Sequence, residues 1–102
     1  MISLENAKRL WELGYMPFPY AYTEKHLRSQ YTLSQLLEEV EKRLGYAWQM
    51  WPDLVEWIDG SDSYIVHYTF KTGFKMDSPF YSATTKEDAV ALALISILEG
   101  EK

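Results

Sequence analysis

The two histidines are the side chains in this sequence best suited to acid–base or metal chemistry. His67 lies in the middle of an alternating segment, where a histidine can act as a general base, but no nucleophile or orienting acid stands near it. The pattern favours a half-exposed strand histidine. His26 follows Glu24 in an E-x-H pattern that lacks the rest of a metal-ligand set. We therefore predict no catalytic residue, no metal site and no cofactor.

Four acidic residues recur around a predicted strand and turn, at Asp53, Glu56, Asp59 and Asp62. A calcium loop needs alternating oxygen ligands, a glycine at a fixed place and a distal glutamate, and DLVEWIDGSD does not fit that pattern. We interpret the four residues as a solvated acidic rim. The sequence also contains no G-x-G-x-x-G, no Walker loop and no G-x-S-x-G motif. These observations predict a protein that is not an enzyme.

Aromatic side chains are unusually frequent, at 16 % of all residues. Tyr46, Trp48, Trp51 and Trp57 fall within twelve residues, and five more aromatics occupy segment 15–31. Such rings either fill the core between sheet and helices or bind a protein partner, since Trp and Tyr dominate interface hot spots. The candidate residues of a protein-interaction surface are Tyr20, Tyr22, Trp48, Trp51 and Trp57.

The charge balance limits the kinds of partner. The net charge is −5, and basic residues are adjacent only at Lys8-Arg9 and Lys42-Arg43. Binding to nucleic acids or anionic membranes needs a concentrated positive field, so these scattered charges argue against both. The longest apolar run is far shorter than the roughly 18–20 residues of a membrane span, and the N-terminus lacks the apolar core of a signal peptide. Because cysteine is also absent, we expect a cytoplasmic protein. From the charges and the short apolar runs, we expect a protein partner and no membrane.

Apolar residues at helical spacing predict two helices in the first half of the chain. The first runs from Leu4 to Leu13 behind Ser3, whose hydroxyl can cap it. The second follows Thr32, which forms a T-x-x-Q capping-box pattern with Gln35. Its apolar stripe consists of Leu33, Leu36, Leu37, Val40 and Leu44, and we expect Leu36, Leu37 and Val40 in the core.

The segment between these helices, residues 15–31, breaks the periodicity. Pro17 and Pro19 forbid a regular helix and hold the chain extended, so we predict a Pro/Tyr-rich loop. This loop is either draped over the core or exposes an aromatic surface for a partner.

Alternation and turn residues predict a sheet in the second half of the chain. Pro52 interrupts this region, and Pro79 indicates an edge strand or a bulge. The predicted strands cover residues 46–51 (a short strand or an irregular lead-in), 54–58, 64–70 and 74–82. We predict a single α+β domain over residues 1–102 in the order α-α-β-β-β-α. A three- to four-stranded antiparallel meander sheet packs against helices from both ends of the chain.

The last predicted helix begins after Thr84 or Thr85 and contains the stretch AVALALISIL, residues 89–98, with Ser96 as its one polar residue. Glu87 and Asp88 lie in its first turn, where acidic side chains suit the helix dipole. Its apolar side chains cover nearly the full circle, so a sheet alone cannot bury them. The second covering surface is either the N-terminal helices and aromatic loop or the same helix of another copy in a homodimer.

Three segments carry a resemblance to a known group of proteins: SLENAKRLWELGY, YTLSQLLEEVEKRL and YSATTKEDAVALALISIL, in that order. They resemble small uncharacterised proteins of phages and prophages, and the second half is similar to the phage α-β-α (ABA) sandwich domain. The resemblance implies a mobile-element origin and the cytoplasm of a bacterial host. It brings no known activity and no catalytic residues. With the aromatic surplus, it predicts a small non-enzymatic protein-interaction module.

The order helix, three strands, helix also resembles a double-stranded RNA-binding domain. Those domains carry a lysine cluster at the start of the last helix, where it grips phosphates. Here Lys86 is followed by Glu87 and Asp88, and that acidic pair would repel phosphate. The alternative function is therefore a nucleic-acid-associated module that has this topology without the basic cluster.

Overall fold

The computed structural model describes residues 1–20, 22–45, 49–57, 64–73 and 76–100, with the backbone alone in 49–57 and 64–67. Helices and antiparallel strands are both present, which confirms the predicted α+β class. The elements are α1 (Leu4–Glu12), α2 (Glu24–Ser29), α3 (Leu33–Leu44), β1 (Gln49–Trp57), β2 (Tyr64–Lys71), β3 (Phe80–Ala83) and α4 (Lys86–Gly100).

Side-chain caps define where the helices begin. Ser3 Oγ accepts a hydrogen bond from Asn6 N at 3.3 Å at the start of α1, as predicted. Thr32 Oγ1 accepts one from Gln35 N at 3.3 Å at the start of α3. Each bond satisfies one of the backbone donors that a first helical turn leaves free. Gly45 ends α3 with φ 75°, a backbone conformation that favours glycine.

The prediction of a loop throughout residues 15–31 is wrong at its end, because α2 forms there. Thr23 caps this short helix, with Oγ1 accepting a hydrogen bond from His26 N at 3.1 Å. Both prolines of the segment lie before the helix, so they restrict only the extended part of the segment. The chain therefore has a helix between the two predicted in its first half.

In the sheet, β2 pairs with β1 on one side and with β3 on the other, and both pairings are antiparallel. The predicted interruption at Pro52 is wrong: β1 continues through it, and its register with β2 shifts between Pro52 and Val55. The strand predicted over 74–82 is also wrong at its start, because β3 begins only after Pro79. Pro79 has no N–H, but its carbonyl oxygen accepts from the N–H of Thr72 at 3.0 Å and closes the turn. The predicted strand residues Tyr46, Ala47, Trp48, Ile58, Phe74 and Lys75, and the predicted turn 59–62, lie outside the described residues.

The helix α4 is the centre of the described structure. It contacts α1 and α3 as well as strands β2 and β3. Six of its residues are buried: Ala89, Val90, Ala91, Ala93, Leu94 and Leu98. Of the two covering surfaces that the sequence left open, the chain's own helices and sheet bury most of this helix, and the small alanine side chains allow the close approach of its neighbours.

In the core that surrounds α4, the burial of the α3 side chains differs in one respect from the prediction. Leu36 and Val40 are fully buried, whereas Leu37 is only half-buried and packs at the margin of the core. From the sheet, Phe70 is fully buried, and Tyr68, Tyr81 and Ala83 pack against the same cluster. The alternate face carries Thr69 and Ser82, whose hydroxyl oxygens lie 3.0 Å apart. One face of the β2–β3 pair therefore covers α4.

Candidate protein-interaction surface

Four large apolar side chains occupy alternate positions of the segment that precedes α2. We call Met16, Phe18, Tyr20 and Tyr22 the aromatic band; their exposed fractions are 38 %, 59 %, 70 % and 82 %. Burial of such side chains normally stabilises a fold, and here most of the surface of Phe18, Tyr20 and Tyr22 faces solvent. Contiguous exposed apolar side chains mark protein-interaction sites more often than single ones do.

Partly buried polar contacts anchor the beginning of the aromatic band. The Tyr15 hydroxyl donates to the carbonyl oxygen of Gln35 at 3.0 Å, and the Tyr31 hydroxyl donates to the carbonyl oxygen of Tyr15. The two rings lie 5.6 Å apart between centroids. The backbone N–H of Phe18 donates to Gln30 Oε1 at 3.2 Å, and Gln30 itself is buried. These contacts therefore hold the chain at Tyr15 and Phe18 to α3 and to the end of α2.

The two anchoring tyrosines have perturbed pKa values with a structural origin. Burial, together with the nearby carboxylates of Glu39 and Glu38, raises the pKa of Tyr15 to about 12. Burial likewise raises the pKa of Tyr31, and Tyr15 adds to the effect. Both phenols remain neutral donors well above neutral pH, which keeps the two carbonyl oxygens that they contact hydrogen-bonded.

A cleft opens beside the aromatic band, between α1 and α2. Its volume is about 310 Å³, and its lining consists of Lys8, Trp11, Glu12, Tyr22, Thr23, Glu24 and Leu27. Trp11 and Leu27 are half-buried, while Tyr22 is the most exposed residue of the aromatic band. The Tyr22 ring also meets the His26 ring edge-on, with 6.4 Å between centroids. The α1–α2 cleft thus has aromatic and aliphatic walls.

The relative direction of α1 and α2 determines where the charged residues lie in the α1–α2 cleft. Arg28 Nε, near the end of α2, donates to the carbonyl oxygen of Ile2, just before α1, at 2.8 Å. The helices therefore run in opposite directions, so Glu24 at the start of α2 lies towards Glu12 at the end of α1. Lys8 lies one turn earlier in α1. The cleft therefore has two carboxylates at one end and one ammonium group at the other.

A second cleft lies on the α3 side of the aromatic band. Its volume is about 420 Å³, and it is lined by Tyr15, Pro17, Phe18, Gln35, Glu38, Glu39 and Lys42. Glu39 is already paired there with Arg43, whose Nε lies 2.8 Å from Glu39 Oε1. The aromatic band therefore runs between two clefts, and each of them contains two carboxylates and one lysine.

The structure separates the residues that the sequence suggested as one interaction surface. Tyr20 and Tyr22 are exposed in the aromatic band, as that prediction requires. Trp51 and Trp57 lie in β1 opposite Thr69 and Tyr64, and among the described elements β1 contacts β2 alone. Trp48 lies outside the described residues. Sequence reasoning did not include Trp11, Phe18 or the α1–α2 cleft in the surface, because that cleft exists only through the contact of two helices.

The candidate residues for acid–base or metal chemistry are also separate. His26 is exposed in α2, and His67 lies in β2. Asp53 and Glu56 lie in β1, whereas Asp59 and Asp62 fall outside the described residues. Within the described ranges, no three His, Cys, Asp or Glu side chains lie close enough together to hold a metal ion.

Asp88 has the most contacts of the described carboxylates, and they connect the start of α1 to the start of α4. Its Oδ1 accepts from the backbone N–H of Ser3 at 2.8 Å and from Asn6 Nδ2 at 3.0 Å. Its Oδ2 accepts from Thr85 Oγ1 at 3.0 Å. Partial burial acts to raise the pKa of Asp88, but the hydrogen bonds from Ser3, Asn6 and Thr85 outweigh it and lower the pKa below its ordinary value. This perturbed carboxylate therefore has a structural role.

Comparisons of the chain with protein-family models, with curated proteins and with solved structures found no match. In the part of the chain that the structure describes, no helix is both long enough and apolar enough to cross a membrane. The features that bear on function are therefore the aromatic band, the two clefts and their charges.

Proposed function

We propose that this protein is a small, non-enzymatic interaction module that binds another protein through the aromatic band and the adjoining α1–α2 cleft. The observation that supports the proposal most directly is the exposure of Phe18, Tyr20 and Tyr22, with the backbone of Phe18 anchored to Gln30. A ring held in this way loses little conformational freedom on binding, and Tyr is among the residues enriched in interface hot spots.

The proposal includes a phage or prophage setting and the cytoplasm of a bacterial host. Its support is the order of the three segments quoted above, from SLENAKRLWELGY to the α4 segment. The acidic net charge of −5 fits a protein partner better than a nucleic acid or an anionic membrane surface.

The test compares two sets of exposed aromatic side chains. One variant carries Tyr20→Ser and Tyr22→Ser, and the matched control carries Phe80→Ser, which removes an exposed aromatic at the start of β3. Proteins from a bacterial host lysate that the wild type and the control retain, but the double variant loses, are identified by mass spectrometry. Each is then purified for calorimetry.

Calorimetry with the purified partner gives the deciding result. Hot-spot residues each contribute about 2 kcal/mol or more, so we expect the double variant to bind at least about tenfold more weakly than wild type. The Phe80→Ser control is expected to bind like wild type. Equal affinity of all three proteins, or no binding of any purified candidate by the wild type, contradicts the proposal.

A nucleic-acid-associated role is the second candidate, and the order α3, three strands, α4 is the observation that favours it. The charges at the start of α4 oppose it. The Lys86 ammonium lies 5.5 Å from the centroid of the Tyr68 ring, the Met1 amino group lies 3.8 Å from Glu87, and Asp88 accepts three hydrogen bonds. A gel-shift with duplex RNA and duplex DNA at low salt decides between the two candidates, because a salt-sensitive shift would favour the nucleic-acid role.

Homodimerisation through residues 89–98 is a further part of the proposal, with a narrow surface to support it. The side chains of α4 that are not buried in that range are the half-buried Leu92, Ile95 and Ile97 and the exposed Ser96. Stable dimers bury about 800 Å² per partner, so these residues would need neighbours from α1 to reach that area. Light scattering gives the mass in solution, and a monomer at all concentrations removes this part.

A further inference from the structure

The α1–α2 cleft has the chemistry of a site for one positively charged, planar side chain. We propose, resting on the proposed function, that the partner protein inserts an arginine side chain into this cleft, between Trp11 and Tyr22, with its guanidinium group at the Glu12 and Glu24 end. The inference names the partner's contact residue, and three properties of the cleft support it: size, walls and charge.

The size of the cleft fits a side chain better than a larger ligand. Its volume of about 310 Å³ lies at the lower end of the range of about 300–1,000 Å³ that is typical of small-molecule sites. It is open to solvent along the aromatic band, because Tyr22 belongs to both. A partner that lies across the aromatic band can therefore direct one side chain into the cleft.

The walls of the cleft favour a cation with an apolar stem. Trp and Tyr faces attract a guanidinium group through the ring quadrupole, and Trp does so most strongly. Leu27 offers aliphatic surface for the methylene groups of an arginine stem. Arginine fits better than lysine, because its planar group stacks on rings and binds carboxylates through two parallel hydrogen bonds.

The charges determine where in the cleft the cation binds. Glu24 and Glu12 lie towards one another at one end, and Lys8 lies at the other end. The contact of Glu12 with Arg9 is long, at 3.5 Å, because Arg9 also donates to Glu99, with Nε 3.0 Å from Oε1. Both Glu12 and Glu24 are solvent-exposed, so an incoming guanidinium can reach them. Lys8 repels a cation at its own end and thereby favours the glutamate end.

The test uses the full chain and a small probe in place of the partner. ¹⁵N-labelled protein is titrated with N-acetyl-arginine N-methylamide and, separately, with the citrulline analogue, which has the same shape without the charge. We expect saturable shifts of the Trp11 indole N–H, assigned with Trp11→Phe, and of the backbone N–H groups of residues 22–24. The citrulline analogue is expected to bind about five- to tenfold more weakly, because it loses the cation–π and ion-pair contributions.

Two charge variants of the same cleft complete the design. Glu12→Gln with Glu24→Gln is expected to weaken arginine binding about tenfold. Lys8→Gln, which removes the opposite charge from the cleft, is expected not to weaken it. Equal binding of arginine and citrulline, an unchanged affinity of the glutamine variant, or the absence of shifts in the cleft overturns the inference.

The outcome for arginine is separable from the outcome for the proposed function. If the purified partner requires Tyr20 and Tyr22 but binds the Glu12→Gln, Glu24→Gln protein like wild type, the interaction surface stands and the arginine site is refuted. If the partner's affinity depends neither on Tyr20 and Tyr22 nor on Glu12 and Glu24, both the surface and the arginine site are refuted. If the tyrosine double variant and the glutamate double variant both lower the partner's affinity, and mutation of one partner arginine to lysine also lowers it, the inference is supported.

Discussion

Replacing Asp88 tests how much a single carboxylate contributes by capping two helices. Its Oδ1 accepts from Ser3 N and Asn6 Nδ2, which belong to α1, while Oδ2 accepts from Thr85, which precedes α4. A hydrogen bond to a charged group contributes about 1.5–3 kcal/mol, and partial exposure reduces that value. We therefore expect Asp88→Ala to lower the free energy of unfolding by about 2–4 kcal/mol, from a total of about 5–15 kcal/mol for such a domain.

The assay is urea unfolding followed by circular dichroism at pH 7, with two further variants. Asp88→Asn keeps one acceptor oxygen and is expected to cost about 1–2 kcal/mol. Glu87→Ala is the matched control. Glu87 forms one ion pair with the Met1 amino group at 3.8 Å, and such pairs contribute about 0–1 kcal/mol to stability. The reasoning is refuted if Asp88→Ala stays within about 0.5 kcal/mol of wild type, or if Glu87→Ala costs as much.

The pH dependence gives an independent check on the same carboxylate. Because the pKa of Asp88 is lower in the folded than in the unfolded chain, its contribution is fully present above the ordinary pKa of 3.8. That contribution is lost as the pH falls through the folded pKa. The difference in stability between wild type and Asp88→Ala should therefore shrink as the pH is lowered below 3.8, and a difference that is independent of pH would contradict an ionised cap.

Three further predictions concern the core. Leu36→Ala is expected to cost about 2–5 kcal/mol in urea unfolding, and Leu37→Ala clearly less, because only Leu36 is fully buried; equal costs would contradict the described orientation of α3. Leu94→Lys places an unpaired charge at a fully buried position and is expected to unfold the chain, whereas Ser96→Lys should leave the circular dichroism unchanged; a folded Leu94→Lys monomer would show instead that this face is an interface. Because the pKa of Tyr15 is raised, its contribution to the free energy of unfolding is fully present below pH 10 and is lost between pH 10 and about 12. In an alkaline titration, the free energy of unfolding of Tyr15→Phe should therefore fall less steeply over that interval than that of wild type. Identical curves would contradict the buried phenol.

Local sequence signals predicted α1, α3 and α4 and the caps of α1 and α3, but not α2. The Ser3 and Thr32 hydroxyls cap the helices that follow them, because capping depends on residues within one turn. The segment AVALALISIL predicted a central helix, because side chains that are apolar on all sides require cover on all sides. In contrast, the same local reasoning placed Leu37 in the core together with Leu36, although helical spacing alone does not show how wide the buried stripe is.

The interaction surface could be predicted only in part. The sequence showed a surplus of aromatics, and Tyr20 and Tyr22 are exposed as that prediction requires. It could not show that Trp11 would line the same cleft as Tyr22, because the contact depends on how α2 lies against α1. The second role of Asp88 was hidden for the same reason: its position in α4 predicted an interaction with that helix dipole, whereas Ser3 is 85 positions away in the chain.

The central position of α4 has a consequence for synthesis on the ribosome. All the other described elements precede α4 in the chain, yet Leu10, Val40 and Phe70 complete their burial only in the cluster that α4 occupies. At about 5–20 residues per second, a growing chain exposes these side chains for seconds before α4 emerges. We expect a nascent chain released before Lys86 to be a substrate for chaperones and proteases, because α4 is needed to bury these side chains.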